Sequence, residues 1–295
     1  MHSELLKYLI LHIYVLIFIL SNKYKHFIQG DLQMKRNLFS LYFIIVLALL
    51  AGCGAVEEKS SSGTGSESSE KTLIMATSAD YPPYEFVETA EGGEVVGFDI
   101  DVANHIAKKL GYKVEIKDMD FNGLIPALDS GKADFVIAGM TPNEERKKTV
   151  DFSDEYYAAQ QLVVTKDKSI QTVEDLEGKT LGVQLASIQE KEADKLLKDH
   201  SFKVVQRNKV TELVQEMKSN RVDAAIIEDA VAYEFLKKNK ELSSFAVPNT
   251  DAAGSAIAFP KDSELTDAFN KELKKMKEDG TLDKLVEKWF GVKKQ

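Results

Sequence analysis

The chain has 295 residues, is 44% hydrophobic and 29% charged, and sets 38 Lys and Arg against 47 Asp and Glu for a net charge of −9. An acidic chain of this kind is poorly suited to nucleic acid or to an anionic membrane surface. Its one cysteine, Cys53, excludes an internal disulfide framework and any multi-cysteine zinc or iron–sulfur site.

In chain order, the first apolar run, Tyr8 to Leu20, is too short for a transmembrane helix. Gln29-Gly30-Asp31 can be encoded CAA-GGA-GAT, a purine-rich stretch of the kind ribosomes bind before a start codon. Met34 is therefore read as the start and residues 1–33 as leader, the alternative being a genuine extra hydrophobic segment from Met1. Lys35 and Arg36 precede a second apolar run from Leu38 to Leu50, and the small residues Ala51 and Gly52 follow it. That order is a secretory signal over 34–52. Cys53 after Leu-Ala-Gly resembles a bacterial lipobox, whose thiol takes a diacylglyceryl group and becomes the first mature residue. Residues 1–52 hold five Lys and Arg and two Asp and Glu, so the remainder carries 33 positive and 45 negative side chains, net −12. Residues 53–71, rich in Ser and Gly and without aromatics, cannot bury enough apolar surface to order themselves. They are a tether with a reach of about 20–25 Å.

From Thr72 onward, short β-rich runs alternate with amphipathic stretches. Strands are predicted at 72–77, 113–118, 133–139, 162–166, 180–184, 203–207, 223–228 and 256–260. Helices are predicted within 99–111, 122–132, 188–200, 209–220, 229–239, 265–280 and 281–291, where apolar residues recur at helical spacing and Gly or Asn often follows. Such alternation means α/β with largely parallel sheets. The rhythm restarts after "LEGKTLGV", which predicts two similar lobes.

Conventional catalytic and metal patterns are scarce. The exported part has His105 and His200, neither beside a recognisable nucleophile. Asp101 and His105 could share a helix face, but no third metal ligand is evident, so no metal is expected. "GTGSESSEK" follows no strand and is no phosphate loop. Asp99 and Asp101 in "GFDID" are read as turn and N-cap residues rather than paired acids. Ser187 with Glu190 reads as a capping box.

Four segments carry the remaining signal: "TSADYPPYEF" (77–86), "MDFNGLIPAL" (119–128), "AGMTPNEERKKTVDFSDEYY" (138–157) and "GVQLASIQEKEA" (182–193). Together with "GFDIDVANHIAKKLG" and "LEGKTLGVQLASIQE", in that order and spacing, they resemble the extracellular solute-binding proteins of bacterial polar amino-acid ABC importers, family 3, over essentially all of Thr72 to Val292. The resemblance implies a two-lobed, type II periplasmic-binding-protein-like α/β fold. Lobe 1 would be 72–160 plus 250–295 and lobe 2 would be 161–249, with crossing strands near Ala158–Leu162 and Phe245–Asp251 and ligand between the lobes. It implies a monomeric, non-enzymatic binding protein without a cofactor, lipid-anchored through Cys53 on the outer face of the cell membrane. Its partners would be a permease and an ATPase.

Arg146 is assigned to the ligand α-carboxylate, because a guanidinium can donate two parallel hydrogen bonds where lysine cannot. N–H groups at the helix start by Ile188 and Gln189 would complete that anion site. The family pattern places Gly139, Met140 and Thr141 beside the α-groups. It puts Glu228 at the ammonium, with Asp229 as the other candidate. Tyr81 and Phe121 match the aromatics that hold the ligand side chain, and stacked rings suit a guanidinium. Ser78 stands where some basic-amino-acid binders carry Asp. Arginine is the first expectation, with glutamine or cystine, or a dehydratase-like enzyme or sensor on the same fold, as alternatives.

Overall fold

The structure, a computed structural model, describes residues 71–88, 92–248 and 253–291. These all fall in the unit Ser68–Gln295. Cys53, the leader, the signal and nearly all of the tether lie outside the described residues.

In chain order the elements are β1 (Lys71–Thr77), β2 (Asp80–Tyr81), β3 (Glu85–Glu88), β4 (Glu94–Val96), α1 (Phe98–Lys109), β5 (Tyr112–Asp118), α2 (Leu124–Asp129), β6 (Phe135–Val136), β7 (Val150–Phe152) and β8 (Tyr157–Ala159). There follow β9 (Gln161–Thr165), β10 (Thr180–Gln184), α3 (Ile188–Leu196), β11 (Lys203–Arg207), α4 (Val210–Lys218), β12 (Ala224–Glu228), α5 (Asp229–Lys238), β13 (Ser243–Ala246), β14 (Ala253–Ser255), β15 (Ala258–Pro260), α6 (Glu264–Glu278) and α7 (Thr281–Phe290). Single 3-10 turns sit at Phe121–Gly123, Arg146–Lys148 and Glu174–Leu176.

Two five-stranded sheets form the two lobes, in the orders β5-β1-β6-β15-β7 and β11-β10-β12-β9-β13. In each, four strands point the same way and one, β15 or β9, runs antiparallel to both of its neighbours. The parallel part is the strand–helix repeat visible in the sequence. The antiparallel part comes from chain returning from the other lobe. Two crossing segments, β8 and β14, pair antiparallel, Ala159 with Ala253 and Tyr157 with Ser255. The second crossing therefore comes later than 245–251. Phe245 belongs instead to the second sheet, in register with Val163; residues 249–251 lie outside the described set.

The first sheet and its helices close on a ring cluster in which Phe135, Phe259 and Phe269 sit 5.0–6.3 Å apart, all fully buried. The second packs Leu213, Met217 and Val222 on one side and Leu181, Val183 and Ile226 on the other. Burying each such side chain stabilises the fold by about 1.5–3 kcal/mol.

Two departures from the predicted elements bear on the site. The run 133–139 is a strand only over Phe135–Val136, because Gly139 adopts φ 53° and turns the chain. And α1 is capped by Gly97, not by Asp99 or Asp101. A side chain at Gly97 would place its Cβ 2.1 Å from the Tyr84 carbonyl oxygen, so glycine alone permits this approach. Both aspartates fall in the first turn, where they complement the helix dipole. Asp101 accepts from Lys288 Nζ (2.7 Å) and Trp289 Nε1 (2.8 Å), which ties α1 to α7.

Candidate functional site

The polar end of the cleft is built around Arg146. Glu145 N–H and Arg146 N–H both donate to Asn143 Oδ1, and the following 3-10 turn holds the arginine backbone. The side chain then runs inward, 8% exposed. Its Nη1 donates to the Thr141 carbonyl at 2.6 Å and its Nη2 to the Ala186 carbonyl of the other lobe at 2.8 Å. The Phe121 ring lies 5.3 Å from its guanidinium carbon. Burial lowers its pKa to about 10, well within the charged range at neutral pH. Among the described residues no carboxylate lies within ion-pair distance of it. A surface ion pair within "EERKK" is therefore not what this arginine makes; Glu145 pairs with Lys191 instead. A buried cation held only by carbonyls calls for an anion.

Facing it is the start of α3. Ser187 caps this helix by accepting the Glu190 N–H (3.2 Å), and its hydroxyl donates to the Gln184 carbonyl (2.7 Å). The predicted box is shifted by one residue: Glu190 reaches the N–H of Ala186, which sits at φ 64°, rather than that of Ser187. The first-turn N–H groups of Ile188 and Gln189 cannot be satisfied by the helix itself.

Between these walls lies a cavity lined by Ser78, Tyr81, Glu85, Phe121, Ala138, Gly139, Thr141, Arg146, Gln184, Ser187, Ile188, Gln189 and Glu228. Nine of the ten residues assigned from the sequence are thus brought to one place. Met140 is not among them. Its side chain is buried in the first lobe's core with Leu124, Leu128 and Val150, and its carbonyl accepts from Ala256. Ser78 is tied to Asp80 Oδ1 (3.0 Å), and Tyr81 stacks on Tyr84 at 5.7 Å. Phe121 presents a face to Arg146, so the aromatics serve the protein's own cation as well as the cavity.

The same cavity also holds acids. Glu228 closes β12, is 2% exposed, and accepts a hydrogen bond from the Tyr84 hydroxyl. Burial pushes its pKa up to about 8; the Tyr84 bond opposes this, while Asp229 and Asp99 add to it. Asp99 is fully buried, rises to about 6 through burial, and accepts from Gly139 N–H (2.8 Å) and Tyr156 OH (2.9 Å). It thereby fixes the strained turn at Gly139 whose backbone lines the cavity.

Glu85 is the residue that sequence reasoning missed. The β2–β3 hairpin pairs it with Tyr81 and directs it inward, fully buried. Its carboxyl lies beside that of Asp99, close enough for the two acids to share a proton. Burial first, then the neighbouring Asp99 and Asp80, push its pKa well above the carboxylate range. Gln184, Ser187 and Ala138 also line the cavity unassigned. The available signal for Glu85 was a charge set between two aromatics, Tyr84 and Phe86. No group of three or more His, Cys, Asp or Glu among the described residues is arranged to hold a metal ion.

A cavity lined by both a buried guanidinium and buried acids is complementary to a zwitterion, and the chain matches one family throughout this region. The model of the bacterial extracellular solute-binding proteins, family 3, matches residues 73–292. The chain belongs to that family. Family 3 members are solute-binding proteins rather than enzymes, and their extracellular location fits the secretory signal. One family 3 relative, the arginine-binding extracellular protein ArtP of Bacillus subtilis (strain 168), is 53% identical over 260 residues, covering 87% of this chain and 98% of ArtP. A solved structure of an ancestral arginine-binding protein bound to arginine is 50% identical with a TM-score of 0.69, covering 74% of this chain and 98% of that one. An ancestral arginine-binding protein bound to glutamine is 49% identical, also at 0.69, covering 75% and 98%. This family 3 chain therefore has the two-lobed type II architecture of amino-acid binding proteins.

Proposed function

We propose that this chain is the lipid-anchored receptor of an ABC importer and that its ligand is arginine. Glu85 carries the choice of ligand. A fully buried acid whose neighbours are other acids stays protonated, and a cation brought against it favours the charged carboxylate. Arg146, with the first turn of α3, takes the α-carboxylate, and Glu228 takes the α-ammonium. Glu85 takes the guanidinium, against the rings of Tyr81 and Phe121. The names of the relatives, ArtP above all, support the same ligand. Glutamine can use the α-group contacts but brings Glu85 no cation, and cystine brings a second carboxylate together with its second ammonium.

In this reading Cys53 is acylated, the tether lets the receptor reach a permease and its ATPase on the outer face of the membrane, and the protein works as a monomer. Titration calorimetry against the twenty amino acids, ornithine and cystine tests the ligand. Arginine is expected to bind tightest; glutamine or cystine binding tighter than arginine overturns it.

A further inference from the structure

Helix α4 of the second lobe begins badly by its own sequence. Its N-cap is Lys209, whose side chain can only donate and is positive where the helix dipole is positive. Glu212 reaches back to the Lys209 N–H at 3.3 Å but leaves the first helical N–H groups alone. Those are met from the opposite lobe. Asp80, just after β1, is 6% exposed, and its Oδ2 accepts the Val210 N–H at 2.5 Å, with the Thr211 N–H beside it. Ser78 holds the other oxygen at 3.0 Å. Asp80 does not line the ligand cavity.

We infer that Asp80 is a closure latch, a carboxylate of lobe 1 that caps a helix of lobe 2 only while the lobes are together, and so favours the closed state for any ligand. It is a positioning residue rather than a ligand contact. Separating the lobes removes the cap from α4 and returns both partners to water, so the bond contributes to the closed state alone. Apparent affinity scales with the closed-competent fraction. Asp80→Ala should therefore weaken binding of every amino acid, about ten- to a hundredfold for a charge-assisted bond.

The inference rests on the receptor reading, and two measurements separate them. Val210→Pro deletes the same N–H from the other side, at the first helical position where proline fits, after a Lys209 already extended at φ −121°, ψ 141°. Asp80→Ala, Val210→Pro and the double variant are compared in full-length Cys53→Ser protein carrying spin labels at Glu144 and Lys195, one exposed site on each lobe. Interlobe distances are read by pulsed electron resonance with and without arginine. The expected result is a smaller closed population in each single variant even without ligand. In Val210→Pro, which keeps the Asp80 charge near Glu85, affinity should fall by equal factors for arginine and glutamine, and the double variant should lose less than the sum of the singles. Equal closed populations in Asp80→Ala and its parent overturn the latch, as does an affinity loss in Val210→Pro that differs between ligands. A parent whose distances ignore arginine overturns the ligand assignment, while the ligand-free comparison still decides the latch.

Discussion

Tyr84 hangs from the first lobe and Glu228 ends a strand of the second, yet the hydroxyl of one donates to the carboxylate of the other across the cleft. The bond puts a neutral donor on an acid whose surroundings otherwise disfavour its charge. Tyr84→Phe should raise that acid's pKa further and weaken binding of all amino acids. Glu228→Gln should do the same more strongly, because it acts on the ammonium they share. Calorimetry with three unlike amino acids checks this; a loss confined to one of them contradicts the assignment.

The raised acids also set a pH dependence. Between its ordinary 4.5 and about 8, Glu228 holds a proton in the folded state that the unfolded chain has released. The native state binds more protons there, so stability of the ligand-free protein falls as pH rises through that window. Glu85 acts in the same direction. Thermal unfolding from pH 5 to 8.5 should show a falling midpoint with a shallower slope in Glu228→Gln. Arginine binding at pH 7 should release protons, seen by calorimetry in buffers of different ionisation enthalpy. A midpoint that climbs with pH contradicts the account.

Arg146→Ala should leave a ligand carboxylate buried and poorly paired, a loss on the order of 2–5 kcal/mol, or roughly thirty- to several-thousand-fold in affinity. Arg146→Lys should recover only part of it, since a point charge cannot reproduce the fork. Binding within about threefold of the parent, a shift under 1 kcal/mol, would show that the carboxylate sits elsewhere.

Glu85→Gln should separate ligands rather than weaken them all. Arginine is expected to lose about 2–5 kcal/mol, as for one partner of a buried charge pair, while glutamine changes little or improves. Substitutions at Tyr81 or Phe121 should likewise reorder preferences. Equal losses for arginine and glutamine in Glu85→Gln would place the guanidinium away from this acid.

Cys53→Ala should leave the lobes folded and binding intact but release the protein from the membrane. Intact mass spectrometry of the native protein decides: a diacylglyceryl-modified chain starting at Cys53 is expected, and an unmodified thiol or an upstream start refutes it.

Local pattern alone determined the alternation of β1, β5, β10, β11 and β12 with α1, α3, α4 and α5, because helix and strand periods are written in neighbouring side chains. It also put the first strand at Thr72, one residue into β1, and the family motif marked Arg146, which lines the cavity. What no local pattern carries is burial of charge. Asp99 looked like a cap and proved to be a buried acceptor for Gly139 and Tyr156, 40 and 57 residues away. Met140 sat inside the motif, yet its side chain faces the core. Asp80 meets its helix 130 residues along the chain. Glu85 acquires its meaning only when the hairpin, α1 and β12 enclose it. A carboxylate in an extended chain is solvated and ordinary; brought among three others out of water, it becomes a site that a cation must complete. The tertiary fold alone decides that, because the energy of a charge depends on everything around it and not on its neighbours in sequence.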